Sequence, residues 1–305
     1  MLFYAHQECL LHEMQPGHPE RPDRLRAIMS HLEASGLLQD LQQRNANPVT
    51  FEQLECIHEV GYLRGLDETS PESGLMPVDP DTSMGPHTLS AASHAAGAVV
   101  DAVTAVLQGD ATRAFCAVRP PGHHAEANAG MGFCFYNSIA LGAQVALSHP
   151  DIDRVAVLDF DVHHGNGTVD IFKDQPAVLV CSSFQHPYYP YRYADLQRDN
   201  IVNTPLAAGT GSAEFRRAVE ADWSAAVERH KPQLILVSAG FDAHRQDPLA
   251  QLELSEEDFG WVTELIVDFA NRYANGRIVS ALEGGYDLAA LAASVQEHIS
   301  ALRAE

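Results

Sequence analysis

The segment DFDVHHGNG (159–167) follows directly on the apolar run VAVL (155–158). Its nine residues hold two carboxylates, two imidazoles and two glycines. The run before it is short, continuous and valine-rich, which reads as a strand buried on both faces. The reactive residues therefore sit where the chain leaves a sheet. Side chains at i and i+2 share one face of a strand, so Asp159, Asp161 and His163 point the same way.

The same punctuation recurs along the chain. AFCAV (114–118) is followed by RPPGHHAE (119–126), LILVSA (234–239) by GFDAHRQDP (240–248), and IVSAL (278–282) by EGGYD (283–287). LFYA (2–5), VAVLDF (155–160) and AVLVCS (177–182) complete the expected strands. Amphipathic stretches at 22–34, 89–108, 136–148, 213–230, 255–274 and 287–303 lie between them. Pro22 suits a first helical turn, and Ser255 before Glu256, Glu257 and Asp258 reads as a helix start. This alternation predicts an α/β fold, a mostly parallel sheet covered by helices on both faces. Ligands of such sheets bind beyond the carboxyl ends of the strands, where the four reactive segments fall. No linker or repeat divides the chain, so a single domain over 1–305 is expected. Two stretches, 66–88 and 183–212, read as long irregular loops, which in compact domains are often functional.

Composition narrows the function classes. The 305 residues carry 41 acidic against 19 basic side chains, a formal charge of -22. That surface repels phosphate backbones and argues against nucleic-acid binding. Cys9, Cys56, Cys116, Cys134 and Cys181 are scattered and show no CxxC pair, which suits reduced thiols. The N-terminal segment lacks signal-peptide character, and no run is expected to reach the ~20 apolar residues of a membrane span.

The strand-end residues make a coherent chemical set. Asp161 and His163, joined by Asp242 from a separate strand, can chelate a divalent metal. Two carboxylates balance a +2 ion, and zinc accepts such O/N donors with a position left for water. His123 and His124 follow a turn set by Pro120, Pro121 and Gly122. One imidazole can take a proton from water while its neighbour holds positive charge, with Asp159 as a carboxylate partner. Gly284 and Gly285 allow close backbone approach to a ligand. Tyr286 after them can donate a hydrogen bond to a developing oxyanion.

The set resembles the zinc-dependent histone deacetylase family, including its bacterial amidohydrolases and acetylpolyamine amidohydrolases. The matching blocks are GHPERPDRL (17–25), RPPGHHA (119–125), GFCFYN (132–137), DFDVHHGNG (159–167), SAGFDAHRQDPL (238–249) and EGGYD (283–287). The resemblance implies the arginase-like fold, with one parallel sheet of about eight strands. It implies Asp161, His163 and Asp242 as zinc ligands, His124 as general base and later acid, and His123 as its partner imidazole paired with Asp159. It implies Tyr286 as the carbonyl-polarising phenol, and Asn166 orienting His124. That asparagine replaces the aspartate of class I deacetylases and looks like class II; a neutral partner should leave His124 less basic. The implied products are a short acid such as acetate and a primary amine.

The resemblance further implies structural potassium at Asp159, Asp161, His163, Ser182 and Ser183, and a second potassium at Phe172, Gln175, Val178 and Asn200. Arg21 matches an arginine lining an internal exit channel. Phe133, beside Gly132, matches one aromatic wall of a substrate tunnel, and Tyr188 or Tyr189 supplies the other. Leu249 stands where eukaryotic polyamine deacetylases carry glutamate, which favours acyl-lysine in a protein or peptide over acetylpolyamine or another small N-acyl amine. The short tails and lack of a basic cluster suggest a cytoplasmic enzyme of bacterial type, with neither nucleic acid nor membrane as partner. Two other readings compete. A binuclear ureohydrolase site needs a second aspartate where this chain has His244. A non-catalytic acyl-ligand binder usually lacks a ligand residue or the phenol, and both are present.

Overall fold

The computed structural model describes residues 1–304; Glu305, the last residue of the expected domain, lies outside them. Ten strands are present among the described residues: β1 (Leu2–Ala5), β2 (Gln42–Asn45), β3 (Met76–Pro77), β4 (Ser83–Met84), β5 (Arg113–Cys116), β6 (Val155–Asp159), β7 (Val178–Gln185), β8 (Ile201–Leu206), β9 (Leu234–Ala239) and β10 (Ile278–Leu282). The helices are α1 (Asp23–Ala34), α2 (Phe51–Leu54), α3 (Val60–Thr69), α4 (Thr88–Gln108), α5 (Ser138–Leu147), α6 (Asn166–Phe172), α7 (Ser212–His230), α8 (Glu256–Tyr273) and α9 (Leu288–Arg303).

Eight strands form one sheet in the order β2-β1-β5-β10-β9-β6-β7-β8, and every pairing in it is parallel. The four central strands β5, β10, β9 and β6 are buried along their whole length. This is why they read as mainly apolar runs without alternation: with helices on both faces, neither face is left to solvent. Helix α4 packs on α5, while α1, α9, α8 and α7 pack in succession. Each core Val, Leu or Ile removed from water contributes ~1.5–3 kcal/mol against chain entropy.

The parallel arrangement aligns the four central carboxyl ends at one edge. Asp159 lies beside both Ser238 and Ser182, Leu282 beside Ala239, and Ala281 beside Cys116. The reactive segments thus leave adjacent strands at nearly the same height.

Three expectations need correcting. The edge strands β2 and β8 went unread because QQRN carries no apolar pattern and IVNTPL contains Pro205, which only an edge strand tolerates. The segments 66–88 and 183–212 are less irregular than expected: the first holds the end of α3 and the β3–β4 hairpin, the second the end of β7 and all of β8. Finally, α4 is long and apolar enough to cross a membrane by length and composition; here two-thirds of its most apolar window is buried inside the protein.

Helix α4 also shows a close approach that explains one of its glycines. An added Cβ at Gly97 would lie 1.6 Å from the Asn47 carbonyl oxygen. Gly97→Ala must push backbone apart, a loss of about 3 kcal/mol, which lowers the melting temperature by roughly 5 °C in a chain of this length. Gly61→Ala in α3, where an added Cβ meets nothing within 4 Å, is the matched control and should leave the melting temperature unchanged or slightly raised, since alanine favours a helix over glycine.

Candidate metal and catalytic centre

Asp161 and His163 follow β6, and Asp242 follows the neighbouring β9. One donor atom from each lies within 4.8 Å of the other two. His163 Nδ1 is 3.1 Å from Asp161 Oδ1 and 3.1 Å from Asp242 Oδ2. Backbone amides hold both carboxylates. The N–H groups of His163 and Gly284 donate to Asp161, each at 2.9 Å, and that of Val162 donates to Asp242 at 2.9 Å. Gly284 is required by contact: an added Cβ would lie 2.1 Å from Asp242 Oδ2 and 2.6 Å from Asp161 Oδ2.

The electrostatics of this cluster call for a cation. Burial would depress His163, yet hydrogen bonds and charge from Asp161 and Asp242 lift it to about 10. Burial and then the Asp161 charge raise Asp242. Asp161, despite burial, is held below the usual carboxylate range by His123 and His163. Two carboxylates so close to one imidazole favour positive charge at this point, whether a proton or a cation supplies it. Two buried carboxylates and an imidazole aimed at one point fit a divalent ion of the zinc type, with room beside it for further ligands.

His123 and His124 sit side by side, ring centroids 4.0 Å apart, in opposite electrostatic states. His123 Nδ1 is 2.9 Å from Asp159 Oδ2. Burial opposes its protonation, but Asp161, Asp159 and Glu283 outweigh that and raise it well above the ordinary imidazole range. His124 is pushed well below that range by burial, then by the charges of His123 and His163. Its Nδ1 is 2.6 Å from Asn166 Oδ1. A neutral His124 donating there leaves Nε2 free to accept a proton. Glu283, which no local pattern marks as functional, fixes the turn: its Oε2 accepts from the N–H groups of Gly122 and His123 at 2.7 and 3.1 Å.

Tyr286 follows β10. Its backbone N–H donates to Asp247 Oδ2 at 2.7 Å. Burial raises its phenol well above the ordinary value, with Asp242 and Asp161 reinforcing and Arg24 opposing, so it remains a donor at neutral pH. Arg24 replaces Arg21 as the arginine behind this site. Arg21 is exposed and pairs with Asp23 at 3.4 Å. Arg24 is fully buried, donates to the carbonyls of Gly285 at 2.6 Å and Glu283 at 2.5 Å, and lies over the Tyr286 ring at 4.9 Å. The helical period held the signal: Arg24 shares the inward face of α1 with Leu25, Ile28 and Leu32.

His124, His163 and Tyr286 line one cavity of about 600 Å³, together with Gly132 and Leu249. Phe133 meets Tyr286 edge-on at 5.9 Å. Both tyrosines left open by the sequence reach this cavity: Tyr188 stacks on His163 at 5.7 Å, and Tyr189 meets His124 edge-on at 5.3 Å. The Tyr188 hydroxyl donates to the Leu249 carbonyl.

The expected potassium residues fall into two groups. Ser182 pairs with Asp159 in register beneath the cluster, and the neighbouring Ser183 hydroxyl is buried without a hydrogen-bond partner. The carbonyls of Phe172, Gln175 and Val178 converge on Asn200 Nδ2, at 2.8, 3.2 and 3.0 Å. His244 is not part of the Asp161–His163–Asp242 cluster and approaches Glu256 at 3.4 Å.

Comparison with known proteins places this geometry. The histone deacetylase domain model matches residues 18–302. A histone deacetylase-like amidohydrolase of Pseudomonas aeruginosa is 39% identical over 277 residues, covering 88% of this chain and 73% of that one. A probable deacetylase of Archaeoglobus fulgidus is 34% identical over 291 residues, covering 93% and 80%. The crystal structure of the HDA15 HD domain superposes with a TM-score of 0.93 at 32% identity, covering all of this chain and 91% of that one.

A dication entering between Asp161, His163 and Asp242 must displace the proton on His163. With that imidazole at about 10 in the ion-free protein, binding at pH 7.5 should release about one proton per ion. Affinity should therefore rise with pH, by about tenfold per unit up to that value. Calorimetric zinc titrations in buffers of different ionisation enthalpy read the proton count; a value near zero would show that His163 is already neutral before the ion binds, and a His163→Ala variant that keeps native zinc affinity would exclude it as a ligand.

Proposed function

This chain belongs to the histone deacetylase family, a family of deacetylases and amidohydrolases, and on that premise we propose that it is a zinc-dependent hydrolase of acyl-lysine side chains. One observation carries the reading: the three-donor cluster, the His124 imidazole and the Tyr286 phenol meet in one cavity walled by Phe133, Tyr188 and Tyr189, and burial favours the neutral form of both His124 and Tyr286.

Asp161, His163 and Asp242 would hold the ion, whose Lewis acidity polarises a carbonyl and acidifies water when bound. The remaining chemistry belongs to the chain. His124 Nε2 takes a proton as water attacks the amide carbon. The Tyr286 hydroxyl donates to the carbonyl oxygen as charge develops there. His124 then returns its proton to the departing nitrogen, which leaves as a primary amine. His123 keeps a positive charge beside this exchange and so favours the neutral form of His124 before attack. Phe133, Tyr188 and Tyr189 exclude water and line a path suited to an aliphatic stem. Leu249 offers no charge to a distal ammonium, which favours acyl-lysine over acetylpolyamine. Potassium at the Ser182–Ser183 and Asn200 groups is part of the same proposal: the Ser183 hydroxyl has no protein partner, and the three carbonyls of Phe172, Gln175 and Val178 outnumber the two N–H bonds of the Asn200 amide that meets them.

Tyr286→Phe should bind zinc as the native chain does while kcat on an acetyl-lysine peptide falls about 10²–10³-fold. Unchanged turnover would remove Tyr286 from the reaction. Acetyl-lysine peptide, longer acyl-lysines and acetylspermidine, compared side by side on the zinc-loaded protein, should rank acetyl-lysine above the polyamine in kcat/KM. The reverse order would transfer the proposal to small N-acyl amines.

A further inference from the structure

We propose that Glu126 is a positioning residue that sets which way the Asn166 amide faces, and thereby which nitrogen of His124 is free. This rests on His124 acting as the base. An asparagine amide has an oxygen end and a nitrogen end of nearly the same shape, so its partners decide its orientation. Asn166 is fully buried and abuts His124. Turned one way, its Oδ1 accepts from His124 Nδ1–H and Nε2 stays free. Turned the other way, its NH₂ would donate to Nδ1 and move the imidazole proton to Nε2, the atom that must accept from water.

Glu126 removes the ambiguity. Its Oε1 accepts from Asn166 Nδ2 at 2.8 Å, while the same nitrogen lies 3.3 Å from the His124 carbonyl oxygen. A carboxylate can only accept, so the nitrogen end of Asn166 must face it. The other carboxylate oxygen accepts from Arg192 Nη1 at 2.6 Å. Glu126 is buried, whereas Arg192 is half exposed on the loop that also carries Tyr188 and Tyr189. The result is one polar chain, Arg192 to Glu126 to Asn166 to His124, with a single self-consistent set of donors and acceptors.

That logic predicts a reversal of sign. In Glu126→Gln, Arg192 draws the glutamine oxygen, the glutamine NH₂ turns toward Asn166, and Asn166 is driven to flip. In Asn166→Asp, two carboxylates face each other across the former 2.8 Å hydrogen bond. In the double variant the glutamine NH₂ donates to the introduced carboxylate, the glutamine oxygen accepts from Arg192, and that carboxylate accepts from His124. The chain from Arg192 to His124 is then satisfied again, and only the longer 3.3 Å contact to the His124 carbonyl is lost.

The test uses the full-length, zinc-loaded chain. E126Q should lower kcat about 10- to 100-fold with KM little changed, the size expected when an outer hydrogen-bond partner is lost. N166D should also lower kcat. Adding E126Q to N166D should raise kcat at least about tenfold over N166D alone. Histidine ¹⁵N spectra should show the Nδ1–H tautomer of His124 in the native chain and its loss in E126Q. A purely structural role for Glu126, tying down the Arg192 loop, would instead make E126Q harmful by the same factor in both backgrounds with the tautomer unchanged. Either result overturns the proposal. If E126Q alone does not fold, the comparison of the double variant with N166D decides the matter. Absence of deacetylase turnover in the native chain would defeat the functional reading instead, and the tautomer measurement would still test Glu126.

Discussion

Two buried carboxylates, Asp161 and Asp242, converge on a single imidazole nitrogen, and much of the molecule serves to make that arrangement tolerable. Charges taken out of water cost several kcal/mol each unless they are paired and hydrogen-bonded. The chain meets that cost with backbone amides from His163, Val162 and Gly284, which come from the ends of β6 and β10. Only adjacent parallel strands in close register bring those amides and both carboxylates to one point. The sheet order β10-β9-β6 is therefore a requirement of the site as much as a feature of the fold.

The same crowding of charge separates the two neighbouring histidines. His123 and His124 are consecutive and equally buried, yet one is held cationic and the other neutral. Their partners make the difference: Asp159 supplies a full negative charge to the first, Asn166 only a dipole to the second. Environments that drive paired titratable groups apart are a general route to a base and an electrostatic partner in one site. A carboxylate at position 166 would narrow that separation. The Glu126 carboxylate stands one hydrogen bond further out, where it orients the amide while its charge is met by Arg192.

Around this rigid floor the walls come from less regular chain. Phe133 adopts a positive φ of 70°, with its N–H donating to the Thr82 hydroxyl at 2.8 Å. Tyr188 and Tyr189 come from the long connection between β7 and β8. Chemistry thus rests on strand ends, where position is fixed by the sheet ladder, and the wall residues rest on loops, where lengths and side chains can change without disturbing the ladder.

The central strands, six of the seven helices of ten or more residues and the residues gathered at the strand ends are legible in the order of amino acids, because continuous apolar runs and helical periodicity are local signals; α3 is the helix that the sequence leaves unmarked. Asp161, His163 and Asp242 could be named together because each follows such a run and the chemistry of a divalent ion asks for that set. Local signals failed where the determining contact is distant. β2 and β8 are strands only because β1 and β7 pair with them. Arg24 and Arg21 look alike in HPERPDRL, and only the packing of α1 against the Glu283–Gly285 backbone separates a buried arginine from an exposed one. The hydrogen bond from Asn166 to Glu126 spans 40 residues. The order of amino acids thus determined which groups stand at the sheet edge; the tertiary structure decided which atom of each faces which partner, since hydrogen-bond direction depends on contacts that only folding brings together.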